Sequence, residues 1–572
     1  MYNSNLKVMI KKIFTCCLLL VLFAQAGCKK DFLQLDLGTT LPEEKVFSDP
    51  LLTTRYADNA YNFMIDDYGR LQDTYKGTTG QLTDEATGVV NSLSAIWAGN
   101  YLVASTDIAS TYTRMYQGIR IVNTVLTNLD QVPWAGSLYN PKIVRAQMLF
   151  LRGMFYFELI KRYGGVIIVD RPFTPTEDID LPRSSYEQTA SFILKDLTDA
   201  EDILKTESSA NYSPATDWDA GNYGRPTVGA VKALRAKLLM LDASPLHNPT
   251  GDIAKWILAA SASKEIIDMN KYALHGDYNT LLNVDTSPEY ILIKVRAPRQ
   301  FTGTSFLGDF VMSPGSGGAQ GLLNPTQNHV DLYEAVKRQT TNGPIVSSAP
   351  ISAPGSGYDP QNPYANRDPR FYANIIYHNM TWQGRQIQMY EGGADFRIGT
   401  NTFTRTRYYC KKLWPEIYRA GATARSLINY VYFRYAEVLL NYAEALNEAN
   451  GPSAEVYGNI NLVRARAGMP ALPAGLSKND MRTRIQNERA VEFAFEDIRW
   501  WDIMRWKKGP ELVSQTLTAM NVTRNGTSFI YSIVPVEAAY QRMPFQERQY
   551  LYPIPLTEVN KSKGILVQNP GW

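Results

Sequence analysis

Cysteine is scarce in this chain, with four in 572 residues, and two of them, Cys16 and Cys17, fall in an N-terminal apolar leader. Cys28 stands where that leader ends, and Cys410 is alone in the body. No disulfide framework follows from such a set, so stability has to come from size. Histidine is equally rare: His247, His275, His329 and His378 lie far apart, with neither an HExxH pair nor Cys–His zinc spacing. There is no GxSxG elbow and no GxxxxGK[ST] phosphate loop. The glycines of "PGSGG" (Pro314–Gly318) read as a turn, without the strand before and helix after that a phosphate cradle requires. Charge of one sign is missing too. The formal net charge is +3, and Lys7, Lys11 and Lys12 of the leader account for all of it. A near-neutral body excludes a nucleic-acid partner, which needs a basic face. Among 55 acidic residues nothing singles out the carboxylate pair a glycosidase would use. No catalytic residue, cofactor or metal site is assigned; a structural calcium is not predicted.

What is present begins with "LLLVLFAQAGCKKDFLQ" (Leu18–Gln34). An apolar run from about Ile13 to Ala26, preceded by lysines, is too short for a spanning helix and reads as a secretory signal. Ala26, Gly27 and Cys28 resemble a bacterial lipobox, with Gln25 where an aliphatic residue is usual. Cys28 is therefore the expected lipidation site, because acyl chains on the new first residue give stable anchoring. Residues 29–40 would be a leash.

Aromatics are the excess, with 35 Tyr and 10 Trp, amphipathic rings suited to binding surfaces as well as cores. Apolar residues recur at helical spacing in "IVRAQMLFLRGMFYFELIKRYGG" (Ile143–Gly165), through Val144, Met148, Leu151, Phe155 and Leu159. "TVGAVKALRAKLLML" (Thr227–Leu241) opens on a capping threonine. "YFRYAEVLLNYAEALNEANGP" (Tyr432–Pro452) aligns Tyr435, Leu439, Tyr442 and Leu446 and stops at Gly451-Pro452, after which Ser453 caps a partner helix. So tight a turn makes the two antiparallel, as in helical repeat arrays. A further long helix is expected from about Asn479 to Lys507. The helical pattern lapses between about Ala297 and Arg425, a Gly- and Pro-rich, aromatic stretch of the kind that bears binding function. The charged run Glu488, Arg489, Glu492, Glu496, Asp497, Arg499, Asp502 and Arg505, set among aromatics, reads either as an acidic site or as an ion-paired lattice between helices, and the lattice is the preferred reading. Trp500, Trp501 and Trp506 are assigned to helix packing.

Several stretches together resemble the SusD/RagB family: "CKKDFLQ", "RAQMLFLRGMFYFELIKRYGGV" (Arg145–Val166), "NRDPRF" (Asn366–Phe371), "RYAEVLLNYAEALNEANG" (Arg434–Gly451), "INLVRARAGMP" (Ile460–Pro470), "IQNERAVEFAFEDIRWWDIMRW" (Ile485–Trp506) and "YLYPIPLTEVN…QNPGW" (Tyr550–Trp572). The resemblance implies a mainly α fold, with tetratricopeptide-like helix pairs on one side and a loop-rich lobe with few short strands carrying the ligand site. It divides the chain into a signal (1–27), a leash (28–40), a helical scaffold (41–296 and 426–572) and a binding lobe (297–425). It implies a non-enzymatic, lipid-anchored outer-membrane protein at the cell surface. Such a protein would hand oligosaccharides, or oligopeptides in the RagB branch, to a SusC-like TonB-dependent transporter. A helical-repeat scaffold that binds only proteins is the reading from a different class, and the aromatic content of the lobe weighs against it.

Two segments offer rings for a sugar's C–H face with polar neighbours for its hydroxyls. "QLTDEATGVVNSLSAIWAGNY" (Gln81–Tyr101) supplies Asp84, Glu85, Asn91, Trp97 and Asn100. "HNMTWQGRQIQMYEGG" (His378–Gly393) supplies Trp382, Arg385 and Tyr390. Asp84 would serve a turn cap, and Trp97 the core, equally well.

Overall fold

Most of the long helices open on a side chain that takes up an otherwise orphan amide. In the computed structural model, Asn140 accepts from the Lys142 amide ahead of Pro141, Ser185 and Gln188 form a capping box, and Thr227, Ser453 and Ser477 cap Ala230, Val456 and Asp480. Glycines in left-handed backbone end two of them, Gly164 at φ 70° and Gly451 at φ 83°. The structure describes residues 41–65, 68, 70–71, 77–88, 105–174, 176–177, 181–208, 222–294, 299–300, 321–396, 403–413, 425–426 and 429–572.

The main helices are α1 (Ser105–Asn128), α2 (Pro141–Tyr163), α3 (Tyr186–Thr206), α4 (Val228–Ala243), α5 (Ile253–Asp268), α6 (Tyr435–Asn450), α7 (Ala454–Arg466), α8 (Lys478–Glu492) and α9 (Arg499–Arg505). Each of α1 to α5 packs on the next in sequence, α5 packs on α6, and α6 packs on both α7 and α8. The array is thus a tetratricopeptide-like stack, continuous in space although residues 269–434 separate α5 from α6 in sequence. Helix α2 sits at its centre. Phe150, Leu151, Phe155, Tyr156 and Leu159 are fully buried, so the apolar stripe legible in sequence is only part of a helix buried nearly all round. Close approach of α1 depends on Gly118, where an added Cβ would lie 2.6 Å from the Phe155 ring.

The expected helix from Asn479 to Lys507 is in fact two. Helix α8 ends at Glu492 and α9 starts at Arg499, with Phe495 and Asp497 between them at φ 63° and 61°. The Phe495 amide leaves the helical pattern to donate to Glu85 Oε1 at 3.0 Å. A carboxylate from a distant part of the chain thereby replaces the helical acceptor and lets the backbone reverse.

Between α5 and α6 the chain forms short two-stranded ladders: Tyr290–Lys294 with Tyr430–Arg434, Ala335–Arg338 with Ile345–Ala349, and Ile375–Ile376 with Tyr409–Cys410. The longest ladder follows α9, pairing Thr518–Asn525 with Ser528–Pro535. Among the described residues no sheet exceeds two strands.

A buried ionic lattice joins these short pieces to the array. Arg434 Nη1 meets Glu289 and Glu492, each at 2.7 Å, and its Nε meets Glu496 at 2.8 Å. Arg370 pairs with Asp368 at 2.9 Å, Glu488 at 2.5 Å and Glu492 at 3.1 Å. Arg464 bridges Glu334 and Glu488 at 3.0 Å each. On α9, Asp502 binds Arg489 and Arg505, while Glu444 takes Arg505 and the Trp506 indole N–H. One uncompensated buried charge costs several kcal/mol, so such groups persist together or not at all. The helix charges are therefore the packing lattice. Trp500 and Trp506 are buried with it, while Trp501 is half-buried, with Lys161 and Arg162 each 4.5 Å from its ring.

Candidate binding surface

The first predicted segment starts as a rigid bracket. Gln81 accepts from the Thr78 amide and donates to the carbonyls of Thr87 and Leu322, all at 2.8–2.9 Å. Asp84 takes a two-pronged bond from Arg499, at 2.9 and 2.7 Å. Glu85 is held by the Phe495 amide, and burial pushes its carboxyl up to about 7. Arg542 donates to the Ala86 carbonyl at 2.7 Å. The strand Ala86–Thr87 then pairs with Asn324–Pro325, so the chain departs towards residue 89 beside the point where it returns from residue 320. Asp84 and Glu85, expected on the ligand, are only 2% exposed. Their carboxylates are committed to Arg499 and Phe495, which makes them part of the scaffold. Asn91, Trp97 and Asn100, together with Cys28, lie outside the described residues.

The second segment folds on itself. Thr381–Trp382 and Arg385–Gln386 form a hairpin whose central residues, Gln383 and Gly384, sit at φ 52° and 78°, the left-handed pair a type I′ turn requires. Trp382 is also a correction. It is 6% exposed, with the Lys411 ammonium 5.0 Å from its ring, because the tight turn folds the indole back onto the core. Arg385 pairs its guanidinium with the fully buried Asp395 at 2.7 and 2.5 Å and stays half-buried, its side chain 30% exposed. Tyr390 remains half-buried at the surface.

Tyr390 belongs to an aromatic surface completed by the C-terminal hairpin. Its ring stacks on Phe529, with centroids 5.5 Å apart and planes at 30°. His378 supports both edge-on, 4.3 Å from Phe529 and 5.8 Å from Tyr390. Burial holds that imidazole down at about 4, so it is neutral at pH 7, and its Nδ1 accepts the Met389 amide. Tyr531, one pair along the strand, packs edge-on against buried Tyr364 at 5.4 Å. Polar groups border the rings. The exposed Arg524 guanidinium lies 5.5 Å from the Tyr390 centroid, and Arg407 donates to Asn521 Oδ1 at 3.1 Å. Burial draws Arg407 down to about 10, so it stays cationic.

Alternation explains the arrangement. Met520 and Val522 are buried, while across the ladder Phe529 and Tyr531 lean on the lobe and Ile530, Ser532 and Val534 face solvent. Sequence reasoning does not reach Phe529, Tyr531, Arg524 or Asn521. The signal for them is Asn525-Gly526 between two alternating runs, with Gly526 at φ 63° in the turn. Among the described residues, no contact joins Asp84 or Glu85 to Tyr390, and no group of three His, Cys, Asp or Glu side chains is placed to hold a metal ion.

A stacked pair of half-exposed rings edged by a guanidinium group fits the C–H face and hydroxyl rim of a sugar. It offers no nucleophile with an adjacent base. The chain is similar to known proteins of one family. A profile described as "SusD family" matches residues 288–572, and one described as "Starch-binding associating with outer membrane" matches residues 33–223. SusD-like protein P2 of Formosa agariphila is 34% identical over 161 residues, 27% of this chain and 28% of that one. SusD-like protein P38 of the same organism is 22% identical over 70% of this chain and 73% of its own length. Among solved structures, a SusD-like protein from Bacteroides fragilis superposes with a TM-score of 0.74 at 23% identity, over 93% of this chain and all of that one. A SusD-like carbohydrate-binding protein from the same species gives 0.70 at 22% identity, covering 91% of this chain and 99% of the other.

Proposed function

This chain belongs to the SusD/RagB family, and from that membership we propose that it is a non-catalytic, cell-surface glycan-binding protein of the outer membrane. It is tethered through Cys28 and passes captured oligosaccharides to a SusC-like TonB-dependent transporter. The observation that carries the glycan reading is the Tyr390–Phe529 stack with Arg524 at its edge. Aromatic faces gain from apolar C–H contact, while the bordering donors meet hydroxyls that would otherwise be desolvated without a partner. The tether reading rests on the lipobox-like Ala26-Gly27-Cys28. Among the described residues no helix is long and apolar enough to cross a membrane.

The test is calorimetric titration of the chain from Asp31 onward against polysaccharides, oligosaccharides and peptides, with each mixture assayed for product. One glycan class is expected to bind without cleavage. Tyr390→Ala and Phe529→Ala should each weaken it by about tenfold, equivalent to about 1.4 kcal/mol. Binding to peptides alone would move the protein to the RagB-like branch, and release of cleaved sugar would end the non-enzyme reading. For the tether, Cys28→Ala in the full-length chain should shift the protein from the membrane to the soluble fraction.

A further inference from the structure

A second cleft lies at the seam between the helical array and the lobe, sharing no lining residue with the Tyr390–Phe529 surface. It encloses about 550 Å³, within the range of small-molecule sites, which favour such seams. One wall is the outer face of α8, where Thr483 and Asn487 stand one turn apart with Arg484 beside them. The opposite face of the same helix is fixed by Ile485 in the core and Glu488 in the ionic lattice, so the wall is rigid. The other wall is lobe chain, with Asp331, Ser352 and Tyr358.

The polar groups are only partly used. Asp331 accepts from Gln327 through Oδ1 at 2.6 Å, and among the described residues its Oδ2 has no partner. Asn487 donates through Nδ2 to the Leu332 carbonyl at 3.1 Å, and its Oδ1 likewise has none. Arg484 is paired to Glu334 through Nη2, which leaves its remaining N–H donors for a ligand. Tyr358 is half-buried, and Arg367, itself fully buried, stands 5.3 Å from its ring. One aromatic ring is thus braced from within the protein beside unfilled acceptors and donors of both kinds. A neutral polyhydroxyl ring matches that set, because each hydroxyl donates and accepts at once. An anion would meet Asp331, and an apolar ligand would strand Asp331, Arg484 and Asn487 without water.

We propose that this cleft is a second carbohydrate site, taking a single pyranose or the end of an oligosaccharide, with Tyr358 under the ring and Asp331, Arg484 and Asn487 on its hydroxyls. It rests on the glycan-binding reading but not on the Tyr390 surface, and the two are separable. Saturation-transfer NMR on the chain from Asp31 onward would use the methyl pyranosides of glucose, galactose, mannose, xylose and N-acetylglucosamine as probes. Wild type and three variants are compared: Tyr358→Ala, Tyr390→Ala, and Ser352→Trp, which fills the cleft from an exposed rim position without removing any packing. At least one probe should give a signal that falls fivefold or more in Tyr358→Ala and Ser352→Trp and persists in Tyr390→Ala. Silence from every probe, or signals that survive both cleft variants, would overturn the second site. Signals lost only in Tyr390→Ala would remove the cleft and leave the first surface standing.

Discussion

Glu85→Gln isolates the energetics of the bracket that holds the break between α8 and α9. The Glu85 carboxyl is 2% exposed and accepts the Phe495 amide, while the nearest cation, Arg499, is already committed to Asp84 by two bonds. Desolvation therefore outweighs the attraction, and the group titrates at about 7 instead of 4.5. A carboxyl whose pKa is raised by folding holds a proton in the folded chain that the unfolded chain has released. Stability on its account is greatest below the unfolded value and declines as pH rises towards the folded one. Over that interval the loss is about 3 kcal/mol. Glutamine keeps an acceptor for the Phe495 amide and has no charge to bury. Urea unfolding at pH 5 and pH 8 should show the variant gaining about 2.5 kcal/mol on wild type between the two. Other titrations run the opposite way. Buried His329 sits at about 3, which raises stability as pH climbs to 6.5. They cancel in the difference between variants, so the comparison matters more than either curve. A difference that does not change with pH would show that Glu85 is not a buried proton carrier.

Other perturbations probe the rest of the frame. Glu492→Gln withdraws the carboxylate that Arg370, Arg434 and Arg466 share, and should cost about 3–5 kcal/mol in urea unfolding at pH 7. Gly165→Ala would bring a Cβ to 2.1 Å from the Ser184 carbonyl oxygen, a backbone atom, so the chain must shift and the Tm should drop by several degrees. Cys410 is fully buried, with its thiol pushed up to about 12. On the chain from Asp31 onward a thiol reagent at pH 8 should find no reactive group until urea is added.

Most of the array is legible in sequence because its signals are local. The Thr227 and Ser453 caps, the Gly451-Pro452 stop and the 3.6-residue spacing through α2 and α6 each act within a few residues. Elements whose cause lies far away in the chain are not legible. The break after Glu492 needs Glu85, some four hundred positions earlier, and nothing in "VEFAFEDIRWW" announces it. Trp382 reads as a loop aromatic, yet the Gln383-Gly384 turn folds it inward. Asp84 looks like a solvent-facing acid until Arg499 arrives from α9. Half of the candidate surface is likewise remote, since Phe529 meets Tyr390 only through the tertiary fold.

The lobe also raises a question of accounting that the array does not. A helix satisfies its own carbonyls, whereas a chain folded into two-residue ladders leaves many buried ones without a partner, each costing about 1–3 kcal/mol if left so. Buried arginines supply the missing donors. Arg367 gives its fork to the carbonyls of Val330, Tyr333 and Pro363, at 2.6, 2.9 and 2.8 Å. Arg542 does the same for Ala86, whose strand pairs with Asn324–Pro325. A guanidinium suits this use because five N–H groups in one rigid plane serve several carbonyls at once. Arg370, Arg434 and Arg464 then fix the irregular chain to α8 through carboxylates. The anchoring is done by a handful of side chains set back from the surface, so two-stranded ladders hold their place against the array without a continuous sheet.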